Sequence, residues 1–369
     1  MLQPMEWWTF DTFLRLRPAE PTDPYMLIVG IDESDISTIG TYPFPDAQLA
    51  TLIEKLQTYQ PRAIGLDIFR DLPVEPGHQQ LVNLFQFSPN IIGIEKALPD
   101  ARGKTIQPPP SLPAAQVGFI DLILDSDSAL RRALVGTPTQ SGDYKFSLPL
   151  LLAERYLLQE GFVLENGVQD TAAMRFGTTE FVRFHSNSGG YINADARGNQ
   201  VLINYRSGKV PFHIVTFNQV MQGNVPKNWI HDHIVLIGMT ATSVGDLKQT
   251  NAVNNSIFGS LGSIYGVEAH AHITSQMIHA VLQGRPWLTS WADSWEYIWI
   301  IGWGIVGISL GRFFMEPLKI LLGLGFASLL LLEISFNALT VGCWVPIVPA
   351  FLVLLFNSAG LTASLFYRY

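Results

Sequence analysis

The pattern of apolar and polar positions divides the chain in two. Through about residue 290, short apolar runs alternate with amphipathic stretches and polar turns, whereas from 295 onward long apolar runs follow one another with few ionised residues. Residues 26–31 form an unbroken apolar run ending at Asp32, and 63–68 form a second one interrupted by Asp67, with a helical repeat over 47–59 between them. That pattern predicts a β-α-β unit. A third run at 91–94 follows an amphipathic stretch at 79–87, so the first hundred residues read as a parallel, buried sheet. The proline-rich stretch 99–113 predicts a surface loop, because proline supplies no N–H to a ladder and breaks a helix. Further on, 117–124 and 129–136 predict a hairpin added to the sheet, 147–159 a helix, and 165–198 an antiparallel insertion. The strand-like 201–205, a helix at 216–222, a buried strand at 234–238 and a helix over 266–283 complete this part. The expected fold class is α/β: a mostly parallel sheet domain with antiparallel additions, followed by an all-α three-helix transmembrane block.

The three segments of that block, about 295–314, 317–336 and 343–366, are each long enough at ~1.5 Å per residue to cross a ~30 Å hydrocarbon core. Trp287, Trp291, Trp295 and Trp299 recur every four residues, which predicts an aromatic belt on one side of the helix entering the first span. Arg312 and Lys319 flank the first turn, 337–342 carries no charge, and Arg368 stands at the tail. The positive-inside rule then puts the first turn and the C-terminus in the cytoplasm and the large N-terminal domain outside it. The expected location is the inner (plasma) membrane, multi-pass, with Glu333 as the one acid at membrane depth. Residues 1–22 read as a juxtamembrane amphipathic segment, with Trp7, Trp8, Phe10, Phe13 and Leu14 set among charges, 23–288 as the outer domain and 289–369 as the membrane block. Glu6, Asp11, Arg15 and Arg17 rule out a signal peptide in the first 24 residues, so this topology expects an exporting helix upstream of the present start.

Charge and cysteine content narrow the function. The net charge of −8 falls almost wholly in the N-terminal part and no dense Lys/Arg cluster occurs, which argues against nucleic acid as a partner. The single cysteine, Cys343, excludes an intramolecular disulfide and a cysteine metal cluster.

Candidate chemistry gathers at predicted strand ends. Asp32, followed by Glu33 and Asp35, and Asp67, followed by Asp71, close what are expected to be adjacent strands of one sheet, where open α/β sheets place ligand crevices. These carboxylates can hold a cation, accept hydrogen bonds from a ligand, or cap neighbouring helices and turns. The turn 238–243 adds backbone N–H groups and the hydroxyls of Thr240 and Thr242. On the helix 266–283, Glu268 and His272 share a face with His279 nearby, while His270 points elsewhere. The spacing is not that of a zinc hydrolase, and no phosphate loop, dinucleotide fingerprint or nucleophile elbow occurs. The tentative ligand-binding set is Asp32, Asp67, Thr240, Thr242, Glu268 and His270, with no catalytic residue, no cofactor and the metal question open.

Five pieces are distinctive together: Glu6-Trp7-Trp8 with Phe13-Leu14-Arg15-Leu16-Arg17; Ile28-Val29-Gly30-Ile31-Asp32; Ala63-Ile64-Gly65-Leu66-Asp67-Ile68; Val235-Leu236-Ile237-Gly238; and Tyr265-Gly266-Val267-Glu268-Ala269-His270-Ala271. In these the chain resembles the CHASE2 family of extracytoplasmic sensory domains in bacterial, notably cyanobacterial, receptors. The resemblance implies an input module that follows one membrane helix and precedes about three more, with a histidine kinase, nucleotide cyclase or serine/threonine kinase in the cytoplasm. This sequence carries neither the upstream helix nor an output domain, so the expected function is sensing without catalysis. The expected partners are the lipid bilayer, an unknown small ligand or ion, and either a second copy or a separate cytoplasmic kinase or cyclase. The rival classes are a membrane-anchored extracytoplasmic hydrolase or metal enzyme and a structural scaffold.

Overall fold

The computed structural model describes residues 2–100, 102–139, 142–253, 262–314 and 316–366, with side chains among them through 359. Helix α1 (Gln3–Leu16) opens the chain and buries Trp7, Phe10 and Leu14, while Trp8 stays 58% exposed. The β-α-β pattern follows as expected: β1 (Met26–Ile31), a short helix α2 (Glu33–Ile39), α3 (Asp46–Gln57), β2 (Ala63–Asp67), α4 (His78–Phe87) and β3 (Ile91–Glu95). Every residue of these three strands is buried, as strands covered on both faces require.

The run 117–124 does not form one arm of a hairpin. It splits into β4 (Val117–Phe119), which pairs parallel with β3, and β5 (Leu122–Leu124), which pairs antiparallel with β6 (Leu130–Pro138) in a second sheet. Within β4, Gly118 lies against the start of a later helix, where a Cβ would stand 2.6 Å from the Leu148 backbone. β7 (Tyr144–Phe146) and β11 (Asn199–Leu202) also pair antiparallel with β6, so the strand expected near 201–205 belongs to this second sheet. Helix α5 (Leu148–Gln159), N-capped by Ser147, lies between, and the expected antiparallel insertion is β8 (Leu164–Asn166), β9 (Met174–Phe176) and β10 (Thr179–Phe181).

The remaining strands of the main sheet come late: β12 (His213–Thr216), followed by α6 (Phe217–Gln222), and β13 (Ile234–Met239). The sheet order is β12-β1-β13-β2-β3-β4, parallel throughout. β1 and β2 are therefore not adjacent. The fully buried β13 returns between them, in register Gly30↔Gly238↔Asp67. A hairpin of β14 (Leu247–Thr250) and β15 (Gly262–Tyr265) then leads into α7 (Gly266–Gln283). α7 begins against the end of β13 because position 238 is glycine, where a Cβ would lie 2.6 Å from that of Val267. The chain continues through β16 (Thr289–Ser290), α8 (Asp293–Phe313), α9 (Pro317–Thr340), β17 (Cys343–Trp344) and α10 (Val348–Phe366).

Two compact units result. The larger comprises Pro18–Arg183 and Arg197–Arg285 and contains the main sheet. α7 is tied within it by a buried polar network. The Asp23 carboxylate accepts from His279 Nε2 (2.9 Å), Ser275 Oγ and Arg206 (3.3 Å), and Glu20 accepts two bonds of 2.8 Å from Arg285. His272 Nδ1 accepts the Arg206 N–H, and Gln276 Oε1 the Asn204 N–H.

The second unit contains α1, residues 184–196 and the chain from Pro286 onward. Here Phe10 stacks near Trp344 (4.3 Å between ring centroids), Phe13 meets Phe336 edge-on, and Glu6 accepts the Val348 N–H at the start of α10. α8 buries Gly304, Gly307 and Gly311, and Asn357 of α10 donates to the Gly304 carbonyl. Small residues of this kind let helix backbones approach closely. Trp287 and Trp291 precede α8 and so do not share its face. Trp291 instead meets Trp299 edge-on, and Trp299 meets Trp303. The third helix starts at Val348, not near 343, because 343–344 pairs with Thr289–Ser290 as β17. Among the described residues α9 is the one helix both long and apolar enough to cross a membrane. Arg368, used above for orientation, lies outside the described residues.

Candidate ligand site

The C-terminal ends of β1, β13 and β2 reach the same edge of the sheet, and there the candidate residues separate into two groups. Asp32 is the N-cap of α2: its Oδ1 accepts the Asp35 N–H (2.9 Å) and Asp35 Oδ2 accepts the Asp32 N–H (3.1 Å), a reciprocal box that satisfies orphan helix donors. Asp35 also accepts from the N–H groups of Phe217 and Asn218 at the start of α6. Glu33 engages the turn after β13, taking bonds from Ser243 N (2.8 Å) and Oγ (3.0 Å), so part of that turn's donor capacity is used internally. Thr240 bonds through its N–H to the Ile31 carbonyl, and Thr242 is exposed. Glu268 accepts the Tyr265 N–H at the start of α7, and burial pushes its carboxyl up.

Asp67 and His270 are placed differently. Both line a cavity of about 380 Å³ together with Lys96, Asp121, Asp246 and Lys248. Asp67 is 9% exposed and its Oδ2 has no hydrogen-bond partner among the described residues. Burial raises its carboxyl to about 7, with nearby Asp246 adding to the rise and Lys248 opposing it. His270 is 2% exposed, its Nδ1 is likewise unpartnered, and burial assisted by Lys248 drives its pKa down to about 3. The imidazole is therefore neutral at physiological pH. Lys248 pairs with Asp246 at 2.8 Å, while Asp121 accepts the Ala97 N–H at 2.7 Å. The proline-rich loop is folded back by a Lys96–Ile106 bridge, which brings Ile106 to the cavity wall.

Orphaned buried polar atoms are uncommon, because each leaves about 1–3 kcal/mol of desolvation uncompensated. Two of them on side chains that line one cavity, at the carboxyl edge of a parallel sheet, make an arrangement suited to a ligand carrying its own polar groups. Of the six candidates, the structure thus brings together Asp67 and His270 and leaves Asp32, Thr240, Thr242 and Glu268 out of the cavity lining. The reading missed Lys96, Asp121, Asp246 and Lys248. Lys248 sits in β14, a polar Leu-Lys-Gln-Thr strand without an apolar run to mark it.

His272 and His279 of the supposed Glu-His face are taken up by Arg206 and Asp23, and no group of three metal-ligating side chains forms among the described residues. No curated protein and no solved structure matches the chain. A family match does: the CHASE2 domain aligns with residues 1–309, which takes in the main sheet, the Asp67–His270 cavity and α7. The chain accordingly belongs to the CHASE2 domain family, an extracellular sensory domain family of signalling receptors.

Proposed function

We propose that this chain is the extracytoplasmic input module of a bacterial transmembrane receptor, binding a small polar molecule or ion at the Asp67–His270 cavity and passing a conformational signal through α8, α9 and α10. The observation that carries this reading is the pair of unpartnered buried polar atoms on Asp67 and His270, two side chains that line one cavity at the sheet's carboxyl edge. Asp67, Asp121, Asp246, Lys96 and Lys248 line it, which suits a ligand with both donors and acceptors. The chain acts without catalysis of its own, and its output falls to a separate cytoplasmic kinase or cyclase or to a homodimeric assembly. The membrane part of the proposal is supported by the outward apolar surface of the last helices. Ile298, Ile301 and Ile305 of α8 and Leu318, Leu322, Phe326 and Leu329 of α9 are each more than half exposed, a surface suited to lipid.

A thermal-shift screen of the full chain in detergent, against ions, amino acids and other polar metabolites, tests the site. A ligand at ~100 times its Kd stabilises by about 2.7 kcal/mol. Asp67→Asn and His270→Gln should each abolish the shift. Asp32→Ala should keep it while lowering basal stability by about 1 kcal/mol through the lost cap. A confirmed ligand that stabilises the Asp67 and His270 variants as well as the parent places the site elsewhere.

A further inference from the structure

A second cavity lies away from the sheet edge, and nothing in the sensory reading uses it. It encloses about 680 Å³ between the second sheet and the β8–β10 insertion, within the larger unit, a volume typical of small-molecule sites. One wall is aromatic and apolar: Tyr144, Phe146 and Met174, with the two rings 5.4 Å apart and edge-on. Its polar lining includes Glu154, Glu165, Asn199 and Arg183. Asn199 is 1% exposed; its Nδ2 donates to the Ala172 carbonyl (2.8 Å), and its buried Oδ1 has no hydrogen-bond partner. Burial raises the Tyr144 phenol beside it, and the Asn199 side chain opposes that rise. Glu154 of α5 lines the same space, and burial raises its carboxyl, opposed only by neighbouring Arg155. The cationic side chain on the rim, Arg183, is already neutralised by Asp170 at 2.6 Å, and Glu165 by Arg175 at 2.8 Å. The cavity therefore offers an orphaned amide oxygen, a carboxylate without a paired cation, and aromatic faces that attract positive charge.

We infer that this cleft is a second ligand site, selective for an organic cation: an amine on an aromatic or apolar body, the ammonium donating to Glu154 and Asn199 Oδ1 and the body lying against Tyr144 and Phe146. Calorimetric titration of the full chain in detergent with 2-phenylethylamine tests it, with 2-phenylethanol and phenylacetate as neutral and anionic counterparts and empty micelles as the blank. The amine should bind and the other two should not. Glu154→Gln, at a half-buried helix position, should weaken binding about 10-fold or more, as loss of a charge-assisted hydrogen bond does. Asn199→Leu should do the same in any preparation that melts like the parent, and Asp67→Asn should leave binding unchanged. Absence of amine binding at about 10 mM, far above the range of specific sites, overturns the proposal. Equal binding of phenylacetate, or full affinity retained by Glu154→Gln, does so as well.

Discussion

A buried aspartate that keeps its proton near neutrality makes Asp67 a source of pH dependence. With its carboxyl raised to about 7 from an ordinary value of 3.8, the folded protein holds a proton between those limits that the unfolded chain has lost. Stability therefore falls as pH rises through that window, by at most about 1.4 kcal/mol per unit from this group. Asp67→Asn, neutral at every pH, should melt several degrees above the parent at about pH 8 and together with it near pH 4. Coincident melting at both pH values would show that the ionised carboxylate is compensated inside the fold. His270 has the opposite sign. Held neutral down to about 3, it leaves the unfolded chain with an extra proton between that value and 6.5, so its contribution is lost as pH falls through this range. Both residues were legible in the sequence, one as a polar interruption of an apolar run and the other as the first histidine of an apolar helix. Asp32 was legible too, but its capping use of the same carboxylate chemistry differs from ligand contact only in three dimensions.

Among elements, strands β1, β2, β3 and β13 announce themselves because burial on both faces demands continuous apolar runs. Their order does not. Sequence proximity of β1 and β2 suggested neighbours, whereas a strand from some 170 residues later separates them, the kind of long-range pairing that local pattern cannot reveal. The polar network anchoring α7 was hidden for the same reason, since Asp23 and His279 are 256 positions apart. Burial alone would raise the Asp23 carboxyl, yet His279 and Arg206 hold it below the ordinary range, so the charge is retained for its partners. Asp23→Ala should then cost about 3–5 kcal/mol in chemical denaturation, the toll of leaving Arg206 and His279 buried without their acceptor. Glu20, held down at about 2 against its own burial by Arg285, contributes stability that is full above 4.5 and lost as pH falls from there through about 2. A loss below about 1 kcal/mol for Asp23→Ala would mean that water replaces the carboxylate and that α7 is held by packing alone.

At the scale of the whole molecule, a charged α/β unit and an apolar helical block occupy one polypeptide, and the proposed function depends on which side of a bilayer each part faces. The family assignment supports an outer sensory domain, and the basic residues Arg312 and Lys319 favour a cytoplasmic turn between α8 and α9. The proposed three crossings would add a parity condition: the turn after α9 would have to return to the outer side. The single native cysteine makes this testable, because Cys343→Ser yields a background without thiols. In that background, Lys209→Cys in the sensory unit and Val341→Cys after α9, both exposed positions, should react with a membrane-impermeant maleimide in intact spheroplasts. Lys319→Cys, 56% exposed at its side chain, should react only once the membrane is permeabilised. Labelling of Lys319→Cys in intact spheroplasts would reverse the orientation. Protection of Val341→Cys under the same conditions would remove α9 as a crossing, and with it the path by which a ligand at the Asp67–His270 cavity could reach a cytoplasmic partner through three spans.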